Sequence, residues 1–130
     1  MHRFTTITLT ICTLLLGASL AAAAPKAPGE LKLGPPDGIA ATKTHVTFSH
    51  AKHDAAKVEC VTCHHTWDGT SDIKQCSTSG CHDQPGKKDA RAFYTAFHSK
   101  KTENSCLGCH KIVKKNGKPV PVSCGSCHPK

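Results

Sequence analysis

Eight of the nine cysteines fall in four pairs, and a histidine follows the second cysteine of every pair. The pairs are Cys60 and Cys63 before His64, Cys76 and Cys81 before His82, Cys106 and Cys109 before His110, and Cys124 and Cys127 before His128. Two thiols one turn apart and an imidazole at a fixed offset can do three kinds of chemistry. They can close disulfides, ligate zinc, or attach haem through two thioethers while the histidine binds the iron.

Spacing decides among these. Disulfides give no reason for a histidine after each second cysteine, and chance would place all four with a probability of about a few in a hundred thousand. Zinc takes cysteine and histidine together, but it does not demand the same offset four times and would leave the other histidines without a role. Three pairs read C-x-x-C-H, the attachment motif of c-type haem, and the second is a variant with two more residues between the cysteines. The two thiols must reach the two vinyl groups on one porphyrin edge, and the next residue must turn a ring nitrogen onto the iron. In the long motif the extra chain has to bulge outward, which Gly80 and the small residues Ser77, Thr78 and Ser79 favour. Four covalently bound haem c groups are therefore expected.

The second axial ligand sets what a haem does. The only methionine is Met1, so histidine is the expected partner, with lysine a remote option. Besides the four motif histidines, His45, His50, His53, His65 and His98 remain beyond the first residues of the chain, five candidates for four irons. Val46, Phe48 and His50 alternate onto one side of an extended segment, which puts His45 on the other side. His45 is thus the surplus histidine, expected in a solvent-exposed role. His53 follows His50 by three residues and can serve a second haem from the same turn. His64 and His65 are neighbours whose side chains diverge, so His65 is expected to reach a different haem from His64. Residues 88–101 read as a helix with Ala90, Phe93, Tyr94, Phe97 and His98 along one buried stripe. With every iron closed by two histidines, no coordination position is left for a substrate. That favours transfer of electrons at low potential over a multihaem reductase with an open iron, and no enzyme activity is expected.

The elements that must hold these ligands have little apolar material to work with. Aromatic residues are 5% of the chain: Trp67, Tyr94 and four phenylalanines. A domain of about a hundred residues this poor in large apolar side chains needs outside help to fold. The expected fold is mainly α with extensive loops and a short two-stranded β segment near Val46 to Phe48, wrapped around four haems. Residues 1–23 read as a cleaved signal peptide: a basic start at Arg3, an apolar run from Ile7 to Leu20, then alanines up to Pro25. The run is too short to span a bilayer comfortably, and Cys12 would leave with it. The functional domain is then 24–130, located in the periplasm.

On these residues the chain resembles the class III tetrahaem cytochromes c, the cytochrome c-three family of sulfate-reducing bacteria. The likeness rests on Ala24 to Pro28, on Phe48-Ser49-His50 with His53, on Cys60-x-x-Cys63-His64-His65, on the long Cys76–His82 motif, and on His98 shortly before Cys106. It implies axial pairs His64 with His50, His82 with His65, His110 with His53, and His128 with His98. It also implies that Phe48 packs beside the first haem. One departure is the last motif, where many members have four residues between the cysteines and this chain has Gly125 and Ser126. The connection from His110 to Cys124 is therefore open to a different arrangement.

Charge bears on partners. Seventeen Lys and Arg face nine acids; without Arg3 the balance is sixteen against nine, or +7. Four haems would bring about eight propionate charges, leaving the reduced protein near neutral, so the basic composition does not indicate nucleic-acid binding. Lysines nevertheless concentrate around the last two motifs. The resemblance implies that periplasmic hydrogenase delivers electrons near the fourth haem, onto a basic surface including Lys43, Lys87, Lys88 and Lys100. Electrons would pass on to membrane-associated redox proteins in sulfate respiration, with protons coupled, from a monomer.

Overall fold

The computed structural model describes residues 26–130. The signal-peptide reading of 1–23, with Arg3 and Cys12, lies outside the described residues. Two strands and five short helices follow in order: β1 (Glu30–Leu33), β2 (Val46–Ser49), α1 (His50–Ala55), α2 (Cys60–Cys63), α3 (Phe93–His98), α4 (Cys106–Lys115) and α5 (Cys124–Cys127). The rest is turn and loop, so the expected combination of helices, extensive loops and one short two-stranded sheet is observed, with the helices short and loop predominant.

β1 and β2 pair antiparallel with Leu31 opposite Phe48 and Leu33 opposite Val46. These four apolar side chains share the half-buried face, while Glu30, Lys32 and Thr47 point outward, as period-two alternation requires. Lys32 Nζ donates to Thr47 Oγ1 across the outer face at 2.7 Å. β2 runs directly into α1: Ser49, still extended, caps the helix by accepting from the Lys52 N–H. The alternation that places Phe48 thereby also fixes where His50 and His53 begin their turn.

The helix expected over 88–101 is much shorter. It starts only at Phe93, and Ala90 lies outside it and is exposed. The preceding residues have better local partners. Asp89 accepts from the Arg91 N–H at 2.7 Å, Gln84 N–H donates to Arg91 O, and Phe93 N–H donates to Gln84 O. These bonds hold 84–92 in a bridge and turn that competes with helix formation.

Protein side chains alone make almost no core. Among the described residues the buried set is Ala92 and Ser105, together with Gly108 in α4. Ser105 and Gly108 form the joint between α3 and α4. The Ser105 hydroxyl donates to Ser99 O at the end of α3, and its oxygen accepts from the Gly108 N–H at 3.0 Å at the start of α4. A β-carbon on Gly108 would strike the carbonyl of Thr102 and come within 2.8 Å of Ser99 O. Only glycine lets these carbonyls close on the helix.

The loop between α2 and the second cysteine pair is organised by one carboxylate. Asp68 accepts from the N–H and hydroxyl of both Thr70 and Ser71. Trp67 Nε1 then donates to Ser71 O at 2.7 Å. The two backbone N–H groups, first that of Ser71, hold the Asp68 carboxyl well below the usual aspartate range.

Two outcomes are expected. Gly108→Ala should destabilise the haem-loaded protein to denaturant by about 1–3 kcal/mol, whereas Gly29→Ala, whose β-carbon meets nothing within 4 Å, should be near neutral; equal effects would contradict the joint. Because the Asp68 pKa is depressed on folding, its contribution is present above the ordinary value of 3.8 and is lost as pH falls below it. The Trp67 indole N–H resonance should therefore move toward that of free indole on acidification, and should move at neutral pH in Asp68→Ala. A resonance indifferent to both would show that Asp68 does not organise the loop.

Candidate functional site

The eight cysteines expected to attach haem are not joined to one another as disulfides. Cys60, Cys63, Cys106 and Cys124 are exposed, while Cys76, Cys81, Cys109 and Cys127 are half-buried. The split follows the geometry of each turn. In the third and fourth motifs the first cysteine starts the helix at the surface, and the second, Cys109 or Cys127, turns inward beside its histidine. In the long motif both members, Cys76 and Cys81, are drawn partly in.

Each two-residue motif forms a helical turn. α2 and α5 consist of the motif alone, and the third motif opens α4. Cys109 N–H donates to Ser105 O at 3.0 Å, so the α3–α4 joint also fixes the second thiol of the third motif. In the first and fourth motifs the histidine N–H closes the turn onto the first cysteine carbonyl, His64 to Cys60 at 2.9 Å and His128 to Cys124 at 2.8 Å. The long motif closes the same way, His82 N–H to Cys76 O at 2.9 Å, although two more residues lie between. Gly80, at φ +86°, absorbs the excess as an outward turn. Cys81 N–H donates back to Thr78 O at 2.9 Å, which tightens the bulge and returns Cys81 toward Cys76. The Asp83 carboxylate steadies that turn by accepting from the Gly80 N–H at 2.8 Å, and Arg91 bridges to Asp83 at 3.0 Å.

Desolvation by the surrounding chain raises the Cys106, Cys63 and Cys76 thiols, with cysteines of other motifs adding to the shift at Cys106 and Cys63, even though these two residues keep an exposed side toward solvent. Among the described residues, no three His, Cys, Asp or Glu side chains converge as a metal cluster.

The histidines converge in pairs instead. His53 and His110 face each other with ring centres 6.1 Å apart and planes 13° apart. His98 and His128 do the same at 6.1 Å and 8°. His65 and His82 lie 6.0 Å apart, with planes inclined at 59°. A first-row metal sits about 2 Å from an imidazole nitrogen, and on the order of 1 Å more separates nitrogen from ring centre, so two rings sharing one metal should lie about 6 Å apart. The spacing fits an iron held between the members of each pair. His50 and His64 are not brought ring to ring in this way; His50 meets Phe48 edge-on at 4.8 Å. Phe48 also lies against His53 at 4.6 Å, so it touches two candidate ligands.

A ligating imidazole is oriented by what its other nitrogen does. His53 and His98 each sit on a short helix and donate Nδ1–H to the carbonyl four residues back, Ser49 at 2.9 Å and Tyr94 at 3.0 Å. His64, His110 and His128 reach distant carbonyls: Lys74 at 3.1 Å, Pro121 at 2.8 Å and Thr44 at 2.7 Å. Each bond leaves Nε2 free to face a metal. His50 and His82 instead keep Nδ1 buried without a protein partner. Both pairs with carbonyl anchors on each ring are nearly parallel, whereas His65–His82 is the inclined pair. His45 joins no pair. It is exposed, and its ring lies over Gly34. The anchoring carbonyls were not visible in the sequence, because a backbone acceptor carries no residue identity.

Similarity to known proteins identifies the family to which these motifs belong. A sequence model of the class III cytochrome c family matches residues 23–128. The chain is 48% identical over 107 residues to a cytochrome c3 of Maridesulfovibrio salexigens, covering 80% of this chain and 96% of that protein. It is 47% identical over 105 residues to a cytochrome c3 of Desulfovibrio desulfuricans, covering 80% and 97%. Among solved structures, the di-tetraheme cytochrome c3 of Desulfovibrio gigas superposes with a TM-score of 0.70 at 37% identity, over 80% of this chain and 98% of that one. The cytochrome c3 of Desulfovibrio desulfuricans Essex 6 gives 0.62 at 36% identity, over 82% and 100%. The chain belongs to the class III cytochrome c family, whose members are electron carriers with covalently bound c-type haems.

Proposed function

We propose that this protein is a low-potential periplasmic electron carrier with four haems, each closed by two histidines. The cysteine pairs would attach them: Cys60 with Cys63, Cys76 with Cys81, Cys106 with Cys109, and Cys124 with Cys127. The axial pairs would be His64 with His50, His82 with His65, His110 with His53, and His128 with His98. The observation that carries this reading is the set of three histidine pairs at one spacing, each joining a motif histidine to one from another segment. Bound haem would supply one-electron chemistry at iron. The chain's own part is to fix the ligand rings, keep the ligand sphere full, and present a charged surface to partners.

Electrons would enter from periplasmic hydrogenase and leave to membrane-bound redox complexes in anaerobic sulfate respiration. Lys43, Lys87, Lys88 and Lys100 are all exposed. Lys87 Nζ sits 5.2 Å over the Tyr94 ring, and Tyr94 stacks on His98 at 4.1 Å with planes 9° apart. Lys87 thus lies beside the His98–His128 pair, which supports a basic surface that would steer an acidic partner toward that haem. Proton uptake would accompany reduction through a propionate or axial environment whose pKa rises when the nearby iron loses positive charge.

Full coordination has a direct consequence. Carbon monoxide should leave the spectrum of the reduced native protein unchanged, while His98→Ala should open one iron and bind one carbon monoxide per chain. Stoichiometric binding by the native protein would favour a reductase with an open haem instead. Reversing charge at Lys87, Lys88 and Lys100 to Glu should slow reduction by hydrogenase about tenfold or more at low ionic strength. The difference should shrink as salt rises past about 0.1 M. Unchanged rates with an unchanged salt dependence would sink the docking assignment.

A further inference from the structure

The count of ligands leaves His45 without a partner, yet its position is not arbitrary. The antiparallel register that sets Leu33 opposite Val46, continued by one rung, sets Gly34 opposite His45. The imidazole lies flat on the bare glycine: a β-carbon at Gly34 would come within 2.6 Å of His45 Cε1 and Nε2 and 2.8 Å of Cδ2. An aromatic ring laid over a cross-strand glycine covers backbone that glycine leaves open. It also ties the residue before it to the end of the sheet.

That residue is Thr44, and both its carbonyl and its hydroxyl go to the other end of the sequence. Its carbonyl accepts Nδ1–H of His128 at 2.7 Å, and its hydroxyl donates to the carbonyl of Pro129. These bonds span 84 and 85 residues. His128 caps α5, a single turn of four residues, which by itself offers the ring little support. The acceptor that orients the ring is thus held by Thr44's own hydroxyl on one side and by His45 seated on Gly34 on the other.

We propose that Thr44 is a positioning residue for the haem attached at Cys124 and Cys127, with His45 as the seat that fixes it. The proposal rests on the reading of His128 as an axial ligand. A firm Nδ1–H to carbonyl bond raises the electron-donating power of the opposite nitrogen and so favours the oxidised iron. Loosening it should move that haem's potential upward and leave the other three in place.

The test compares Thr44→Val with Thr44→Ser in the haem-loaded protein, following each haem separately by NMR during a redox titration. Valine keeps the shape and loses the hydroxyl. Its reduction equilibrium at the Cys124–Cys127 haem should shift toward the reduced form by about three- to tenfold, equivalent to about 30–60 mV for one electron. Serine should restore the native value. Gly34→Ala, which displaces His45 without altering any cysteine or candidate ligand, should shift the same haem in the same direction and provides the test if the valine variant does not mature. No shift at that haem, an equal shift at all four, or a serine variant as altered as valine would overturn the proposal. The ligand reading has its own control: His128→Ala should turn one haem high-spin, and four low-spin haems in that variant would sink the reading on which the proposal stands.

Discussion

An imidazole bound to a metal has two nitrogens, and the one turned away from the metal decides how the ring stands. Five of the eight candidate ligands settle this with a carbonyl: His53, His64, His98, His110 and His128 all place Nδ1 within 3.1 Å of a backbone oxygen. Much of the rest of the fold can be understood as the means of presenting those oxygens. The turns of α1 and α3 present Ser49 and Tyr94. The Asp68 loop leads to Lys74, the segment after α4 returns Pro121, and the sheet's end delivers Thr44. Among the described residues Ala92 is the one buried apolar side chain; so small a core cannot hold these positions alone, and on the proposed ligation rigidity comes from cofactor bonds that cross-link the segments.

Those cross-links run between distant parts of the sequence. His53 in α1 meets His110 in α4, and His98 in α3 meets His128 beyond α5. A metal shared by such a pair closes a loop of several tens of residues, which restrains the unfolded chain as well as the folded one. The protein's own contribution is concentrated at joints such as Ser105 with Gly108, where α3 hands over to α4 with a carbonyl packed where a β-carbon would otherwise stand. The same arrangement suits a carrier. On the proposed ligation every axial position is filled by a side chain, most of them anchored through the second nitrogen, so the geometry can stay unchanged between oxidation states.

What could be read from the sequence was whatever repeats or alternates. The four Cys-Cys-His motifs pointed to the cofactor and to its eight attachment points. They did not show which thiols sit inward; that Cys81 and Cys109 are half-buried depends on backbone bonds to Thr78 O and Ser105 O. The Val46-Phe48-His50 alternation marked strand β2, its inward face and the outlying position of His45. The helix expected over 88–101 is overextended because its apolar spacing continues past the point where Asp89 and Gln84 capture backbone groups, leaving six residues from Phe93 to His98. Partners such as Lys74 O, Pro121 O and Thr44 O could not have been found, since a carbonyl contributes the same atom whatever its side chain. Ring orientation was equally hidden: nothing in the spacing separates the parallel pairs from the 59° pair of His65 and His82.

The central claim is that one chain holds four haems, all closed by histidine and all low in potential. A coulometric reductive titration of the haem-loaded protein, followed at the α-band, tests it most directly. The account predicts four electrons per chain, all taken up at low potential, with the low-spin α-band growing until the fourth has entered. Fewer than four electrons, or one haem reduced far above the others with a high-spin spectrum, would contradict it.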